Sequence, residues 1–302
     1  MALSGSDRYH TAMTLPSDAE RVVQRVAPLT FGVFGSRWPD GQHMTRSGGS
    51  GVFIAPFLGL TALHVIKDLL RLDDRETIPR YPFVTQHAAA LYQLLDPLIV
   101  GGRIALWHVN RSWVAGGSDL VLLQACAESD DALTAQYKMP VAFLEWQLLP
   151  PEEGEYVYAI GFPSSTVQPD GEGVGISAQL SVQRLRVGSA YVNGRDRGML
   201  NFPCFEVSGT FRPGFSGGPV ICGGRLCGLA TSGSTFDDRS YVALLWPLCT
   251  MEWDNEFGTN TTFGELLDRR IIAATDWRAV KPRISKVKDD DGRTAVRINE
   301  AP

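Results

Sequence analysis

Histidine is scarce in this sequence, and its distribution along the chain is uneven. The five histidines are His10, His43, His64, His87 and His108, and none follows residue 108 in a chain of 302 residues. Hydrolases of the α/β type place the catalytic histidine after the nucleophile in the chain. A serine nucleophile in the second half of this chain must therefore take its base from upstream, which excludes the α/β-hydrolase order.

Cysteine is also sparse, and its odd count argues against a disulfide framework. The five cysteines are mostly in apolar strand contexts, which favours buried free thiols in a reducing compartment; they are Cys126, Cys204, Cys222, Cys227 and Cys249. A two-residue turn at Gly223-Gly224 would place Cys222 opposite Arg225 rather than Cys227. Because no second Cys/His pair lies nearby to complete a zinc site, we expect no metal or cofactor. Free thiols in a reducing compartment lead us to expect a cytoplasmic location.

The sequence has neither an excess of positive charge nor a long apolar run. The net charge of −5 does not favour a general nucleic-acid binder, and we interpret the arginines at 184, 186, 195 and 197 as a solvated strand face. No run approaches the ~18 apolar residues of a membrane span. The first residues lack the basic and apolar regions of a secretory signal. We expect neither a nucleic acid nor a membrane as partner.

The most informative stretch is Gly214-Phe215-Ser216-Gly217-Gly218-Pro219, which places a serine among glycines just before an apolar run. A serine hydroxyl is a weak nucleophile unless a base lies beside it. Its attack on a carbonyl produces an oxyanion that needs backbone N–H donors, and glycines allow the tight backbone that directs them. Ser216 is therefore the candidate nucleophile.

Two upstream stretches supply partners for Ser216. Thr61-Ala62-Leu63-His64-Val65 places a histidine at the end of an apolar strand, and Asp119 begins another, Leu120-Val121-Leu122-Leu123. The order of histidine, aspartate and serine is that of chymotrypsin. On these motifs the chain resembles the chymotrypsin-like (trypsin-fold) serine peptidases, closest to bacterial and HtrA-type members, over about residues 28–250.

The resemblance implies a fold and a set of residue roles. The fold is all-β, a double six-stranded antiparallel β-barrel with a short N-terminal helix and a C-terminal helix. His64 is the general base, Asp119 orients its imidazole, and Ser216 is the nucleophile. The N–H groups of Gly214 and Ser216 form the oxyanion hole. Substrate backbone binds along Thr231, Ser232 and Gly233.

The same resemblance places Thr210 at the base of the pocket for the side chain before the cut. Because Thr210 is neutral, we expect a preference for small or medium uncharged residues, with Arg212 as an alternative that would favour acidic ones. Phe215 stands where trypsin-like zymogens carry the aspartate that pairs with a new N-terminus. We therefore expect no activation by N-terminal cleavage, and regulation by the 1–28 arm, the 278–302 tail or an activating partner protein.

The pattern of strands and loops predicts five segments. These are an N-terminal arm with a short helix (1–28), a first barrel with His64 and Asp119 (29–126), a connection (127–153), a second barrel with Ser216 (154–250), and a C-terminal helix and tail (251–302). Within them we expect a short helix over 67–75, a loop insertion over 81–95, and a hairpin that pairs 284–287 with 294–297.

These observations predict a serine endopeptidase that acts on a protein or peptide substrate through an acyl-enzyme. Two alternatives remain open. One is a gated module that keeps the protease fold for binding or regulation. The other is an acyl hydrolase that acts on small esters.

Overall fold

We describe the protein from a computed structural model. The structure describes residues 17–37, 44–70, 89–95, 103–138, 144–170, 173–196, 198–234, 238–254, 260–288 and 294–299. Within these ranges strands dominate and helices are short, as the sequence predicts.

The N-terminal half forms a closed six-stranded barrel with neighbour order β1-β2-β3-β6-β5-β4. Helix α1 (Ser17–Val26) precedes it, ends just before Pro28, and leads through a 3-10 turn (Ala27–Leu29) into the first strand. The other elements are β1 (Thr30–Arg37), β2 (Met44–Ala55), β3 (Leu58–Ala62), α2 (Leu63–Leu70), β4 (Ala89–Leu94), β5 (Ile104–Val114) and β6 (Leu120–Ala127).

Alternating burial along β5 shows how this barrel is filled. Ala105, Trp107 and Val109 are buried and their neighbours are partly exposed, because successive side chains point to opposite faces of a strand. Inside, the ring centroids of Phe53 lie 4.7 Å from Phe31 and 5.2 Å from Trp107. The barrel therefore has an aromatic core of its own.

Two local predictions in this half are wrong. Residues 89–94 are not part of a loop insertion; they are β4, which pairs with both β1 and β5 and closes the barrel. The helix predicted over 67–75 begins at Leu63 instead, so His64 lies in the first turn of α2 rather than at the end of a strand. Residues 71–75 and 81–88 lie outside the described residues.

Helix α3 (Asp130–Lys138) lies in the connection, and a second closed barrel follows with the order β10-β11-β14-β13-β12-β7. Its strands are β7 (Tyr156–Gly161), β10 (Ser181–Tyr191), β11 (Cys204–Ser208), β12 (Pro219–Cys222), β13 (Arg225–Ser234) and β14 (Arg239–Ala243). Between β7 and β10, β8 (Thr166–Asp170) and β9 (Gly173–Ser177) form a separate two-stranded hairpin. Cys222 pairs with Arg225 across the Gly223-Gly224 turn, as predicted.

The C-terminal elements pack onto this second barrel. They are a 3-10 turn (Trp246–Thr250), β15 (Glu252–Asp254), β16 (Asn260–Thr262), α4 (Phe263–Asp268), α5 (Trp277–Val280), a 3-10 turn (Lys281–Arg283), β17 (Ile284–Lys288) and β18 (Thr294–Ile298). Helix α4 begins with a capping box, in which Thr262 and Glu265 are bonded reciprocally. The predicted tail hairpin is β17 and β18. No helix in the described ranges is long and apolar enough to span a membrane.

A second, larger apolar cluster joins the two barrels. It contains Val52 and Leu120 from the first barrel and Phe162 and Val220 from the second. The rings of Tyr92 and Phe162 meet edge to face across the boundary, with centroids 5.3 Å apart. Contacts of this kind fix the barrels relative to each other, which matters because the candidate catalytic residues come from both.

Candidate active site

His64 and Asp119 meet because strands β3 and β6 are antiparallel neighbours. Ala62 pairs with Leu120, so the residues after the end of β3 face the residue before the start of β6. Asp119 Oδ2 lies 2.7 Å from His64 Nδ1, and Asp119 Oδ1 accepts a 3.0 Å bond from the His64 backbone N–H. The carboxylate therefore sets both the position and the tautomer of the imidazole, leaving Nε2 unprotonated in the neutral ring.

Ser216 lies on a tight turn at the entrance to β12. The Gly217 N–H donates to the Ala230 carbonyl at 2.7 Å, which ties the turn to β13. Gly217 has a φ of 83°, and a Cβ there would lie 2.2 Å from the Ser50 carbonyl oxygen. Only glycine fits this position. The partly exposed Ser216 side chain is thereby held at the boundary between the barrels.

Thr231 on β13 connects the serine with the aspartate. Its carbonyl accepts a 2.9 Å bond from Ser216 Oγ, and its buried Oγ1 donates to Asp119 Oδ2. The resemblance assigned Thr231 to substrate backbone only, and the side-chain contact was missed. Because a hydroxyl has one proton to donate, the Ser216 proton that is bonded to the Thr231 carbonyl is not at the same time donated to His64 Nε2.

The two predicted oxyanion donors lie on either side of Phe215. Gly214 has a φ of 98°, and a Cβ there would lie 2.6 Å from the Phe162 carbonyl oxygen. Within the described part of the chain, the N–H groups of Gly214 and Ser216 donate to no other protein atom. Phe215 is fully buried, and its ring stacks on Phe211. The loop thus carries two backbone N–H groups with no acceptor in the described part of the chain.

The part of the sequence that forms this arrangement matches a known protein family. The family model of the trypsin-like peptidase domain matches residues 49–229, about three fifths of the chain. The match begins in β2, at the stretch Gly49-Ser50-Gly51, and ends in the middle of β13. It therefore covers His64, Asp119 and Ser216. The chain belongs to the trypsin-like peptidase domain family.

Solved structures that are similar to this chain include two proteases. The Rv3671c protease from M. tuberculosis in its active form has a TM-score of 0.49 at 16% identity, covering 83% of this chain and 92% of that chain. Its inactive form gives 0.45 at 17% identity, with 76% and 90% covered. The serine endoprotease from Yersinia pestis gives 0.43 at 19% identity, with 76% and 64% covered. A comparison with curated protein sequences gave no match.

The environment of His64 in the peptidase domain shifts its protonation. Burial lowers the pKa of the imidazole, but the hydrogen bond that His64 donates to Asp119 and the charges of Asp119 and Asp68 together raise it by more, so the pKa lies above the ordinary 6.5. Asp68 is one turn beyond His64 on α2. A raised pKa makes His64 a stronger base, and it also keeps the ring protonated over more of the acidic range.

This shift predicts the pH dependence of turnover. If His64 is the base for Ser216, only its neutral form accepts the serine proton, and kcat/KM should rise with pH through an apparent pKa above 6.5. Asp68→Asn removes one charge that raises the pKa and should move the midpoint down, with the plateau rate unchanged. Measurement of pH–rate profiles for the wild type and this variant tests the shift. A wild-type midpoint below 6.5, or one unmoved by Asp68→Asn, would contradict the electrostatic explanation.

Deprotonation of His64, which should raise activity, should lower the stability of the fold. Because the pKa of His64 is raised in the folded state, its protonation stabilises the fold fully below about pH 6.5. That contribution is lost as the pH rises through the folded-state pKa. The enzyme should therefore gain activity over the range in which His64 ceases to stabilise the fold.

Residues predicted to form the substrate cleft lie together beyond Thr231. Ser232 is partly buried and Gly233 is exposed. Pairing of β12 with β13 ends at Pro219 and Leu229, so residues 231–233 extend past β12 with β14 on their other side. Such an edge offers backbone groups for an added substrate strand.

An exposed carboxylate that the sequence did not indicate lies beside Thr210, the predicted pocket residue. A Cβ on Gly233 would lie 3.3 Å from Thr210 Cγ2 and 3.1 Å from Ser240 Oγ, so these three residues line one space. Thr210 Oγ1 donates to Asp238 Oδ1 at 3.2 Å. Arg212 instead lies toward Phe215, with its guanidinium carbon 5.9 Å from the ring centroid. The neutral threonine therefore has a negatively charged, exposed hydrogen-bond acceptor beside it.

The buried thiols of this peptidase domain are poor nucleophiles. Burial raises the pKa of Cys204 to about 12 and that of Cys222 to about 11. Burial also raises the pKa of Cys227, whose Sγ lies 3.2 Å from the Val220 carbonyl. Since thiolate is the reactive form, these residues do not compete with Ser216.

Proposed function

We propose that this protein is a serine endopeptidase in which Ser216, His64 and Asp119 form the catalytic triad. The observation that carries the proposal is the connected set of contacts at the barrel boundary. Asp119 binds the His64 ring and the Thr231 hydroxyl, and the Thr231 carbonyl binds Ser216 Oγ. Residues far apart in sequence thus converge on one nucleophile.

In the proposed reaction, Ser216 Oγ attacks the carbonyl carbon of the scissile peptide bond and its proton passes to His64 Nε2. The resulting oxyanion accepts hydrogen bonds from the Gly214 and Ser216 N–H groups. His64 then gives its proton to the leaving amine, the C–N bond breaks, and an acyl-enzyme remains. Water then attacks the acyl carbonyl carbon and gives a proton to His64. His64 returns this proton to Ser216 Oγ as the bond between Oγ and the acyl carbon breaks, and the carboxylic acid product leaves.

Asp119 remains ionised throughout this sequence and stabilises the imidazolium that forms at each proton transfer. It is buried, so its charge acts on His64 through little intervening water. Its bonds from the His64 backbone and the Thr231 hydroxyl hold the carboxylate in place while the histidine changes charge. In this proposal Asp119 orients the imidazole, and His64 alone accepts and donates the proton.

An endopeptidase is favoured over an esterase by the edge of β13 that extends past β12, where no other described strand pairs with residues 231–233 on that side. An extended peptide can add to this edge as a strand, and a small ester cannot. A casein digest and a set of short p-nitrophenyl esters distinguish the two. We expect Ser216-dependent internal cleavage of casein; ester turnover without peptide cleavage would indicate the acyl hydrolase, and neither would indicate the gated module.

We further propose that Asp238 sets a preference for Lys or Arg before the scissile bond, in place of the uncharged residue expected from Thr210 alone. A cationic side chain that reaches Thr210 meets the Asp238 carboxylate bound to its hydroxyl. The Asp238 charge attracts such a cation, and because Asp238 is exposed, solvent screens this attraction to ~1 kcal/mol or less.

A fluorogenic peptide library varied at this one position measures the preference. We expect Lys or Arg to exceed Ala and Leu by up to about fivefold, equivalent to ~1 kcal/mol for an exposed ion pair, and Asp238→Asn to remove most of that ratio. Asp131→Asn is the matched control, because Asp131 is paired with Arg103 on the first barrel. Preference for uncharged residues in the wild type would restore the Thr210 interpretation, and preference for Glu or Asp would indicate Arg212.

A further inference from the structure

Ser50, in the Gly-Ser-Gly stretch of β2, contacts the nucleophile loop from the opposite barrel. Its side chain is fully buried. Its Oγ donates to the Gly214 carbonyl at 2.6 Å, and its backbone N–H donates to the Ser216 carbonyl at 2.8 Å. Ser50 therefore binds the carbonyl groups of both residues whose N–H groups are the proposed oxyanion donors.

The hydroxyl of Ser50 also accepts a bond, which fixes its direction. The Phe162 N–H donates to Ser50 Oγ at 2.9 Å. With that acceptor site occupied, the single proton of the hydroxyl is directed at the Gly214 carbonyl. Phe162 is in turn the residue whose carbonyl packs closest against Gly214. Ser50, Phe162 and Gly214 thus form a closed set of contacts between β2, the end of β7 and the nucleophile loop.

The backbone of Ser50 is held equally firmly on its own barrel. Thr61 Oγ1 donates to the Ser50 carbonyl at 2.6 Å, and this threonine lies on β3, three residues before His64. Gly49 lies beside Ser50, and a Cβ there would meet the Ser216 carbonyl oxygen at 2.5 Å. The glycines around Ser50 thus allow the close approach of β2 to the loop that its hydroxyl bond requires.

Gly214 has a reason to need such a restraint. Its φ of 98° is accessible to glycine, but glycine has many other conformations of similar energy. Rotation of the backbone about Gly214 would turn the oxyanion donors away from the substrate. The neighbouring residue is Phe215, which cannot form an ion pair with an N-terminal ammonium. A hydrogen bond on the Gly214 carbonyl supplies an alternative restraint.

We propose that Ser50 is a positioning residue that holds the oxyanion hole of this enzyme formed before substrate binds, without N-terminal cleavage. This inference rests on the proposed serine peptidase function. It assigns to a β2 side chain the ordering of the nucleophile loop, so the uncut chain is competent for catalysis. Ser50 does not touch the substrate; it acts through Gly214 and Ser216.

Ser50→Ala tests this role in the full-length chain, with intact mass used to verify that residues 1–28 remain uncut. We expect kcat to fall by about 10²-fold, the loss typical of one oxyanion donor, with KM changed less than about threefold. Affinity for a peptide boronate, which mimics the tetrahedral intermediate, should fall in parallel with kcat, since such analogues report transition-state binding.

Thr30→Val is the matched control for the loss of a buried hydroxyl. Thr30 is fully buried on the first barrel, and its Oγ1 donates to the Val26 carbonyl at 3.0 Å, away from the nucleophile loop. It should lower the melting temperature with kcat unchanged. If Ser50→Ala lowers the melting temperature but keeps the kcat and boronate affinity of the wild type, Ser50 is structural only and the inference is overturned.

Ser50→Cys serves if Ser50→Ala does not fold. The thiol is a weak donor of similar size, so the folded variant should still lose kcat and boronate affinity relative to the wild type; unchanged values would overturn the inference. Absence of Ser216-dependent cleavage in the wild type would instead overturn the proposed function, and this inference with it. Wild-type activity that requires removal of residues ahead of 30 would contradict the preformed hole alone.

Discussion

Ser216→Ala should lower kcat for peptide hydrolysis by about 10⁶-fold, the scale observed when a triad serine is removed. The methyl group leaves no atom to form the acyl-enzyme, and the remaining rate comes from oxyanion and substrate binding alone. His64→Ala should cause a loss of similar size, because the serine hydroxyl is then without a base. Kinetics with one fluorogenic peptide, monitored at matched protein concentration, measure both.

Non-additivity distinguishes a triad from independent effects. The double variant Ser216→Ala/His64→Ala should be little worse than either single variant, since the residues act as a unit. Circular dichroism and melting temperatures control for unfolding. Losses that multiply in the double variant, or a Ser216→Ala variant that keeps substantial turnover, would show that the chemistry lies elsewhere.

Asp119→Asn should lower kcat by about 10⁴-fold, the loss reported for this change in a related triad. Asp119 accepts bonds from the backbone N–H and Nδ1 of His64 and from the hydroxyl of Thr231. An asparagine amide replaces one acceptor oxygen with a donor, which favours the wrong imidazole tautomer. The measurement is kcat at a pH above the His64 titration.

Thr231→Val is the graded comparison for Asp119→Asn. It removes one hydrogen bond to the carboxylate but keeps the backbone carbonyl that accepts from Ser216. Hydrogen bonds to charged groups are worth ~1.5–3 kcal/mol, so we expect a loss far smaller than that of Asp119→Asn. Near wild-type turnover in Asp119→Asn would mean that another residue is the acid.

The strands that were predicted correctly have strong local signals. β12 follows a glycine-rich turn and is apolar throughout, and β17 and β18 flank a short acidic segment. The capping box of α4 depends on two residues three apart. Periodicity and turn residues are local properties, so a single sequence carries them.

The elements that were missed lack such signals. Strand β4, Ala-Ala-Leu-Tyr-Gln-Leu, is buried along nearly its whole length because it closes the barrel between β1 and β5. Burial on both faces removes the alternation that marks a strand, and alanine, leucine and glutamine are common in helices. The start of α2 was missed for a similar reason, since the apolar run of β3 continues into its first turn.

In the candidate site, too, some residues have a local sequence signal and others do not. Ser216, His64 and Asp119 stand in distinctive local motifs, which is why the sequence indicates them. Ser50 and Gly214 are 164 residues apart, and Thr210 and Asp238 are 28 residues apart. Their relations depend on how the barrels pack, and no local pattern encodes a contact over such separations.

Reaction with a fluorophosphonate probe, followed by peptide mass mapping, tests the proposed nucleophile. The wild type should carry a single phosphonyl adduct on the peptide that contains Ser216, and labelling should be lost in Ser216→Ala and strongly slowed in His64→Ala. No adduct on Ser216, or labelling that persists unchanged in His64→Ala, would contradict the assignment of Ser216 as a serine nucleophile activated by His64.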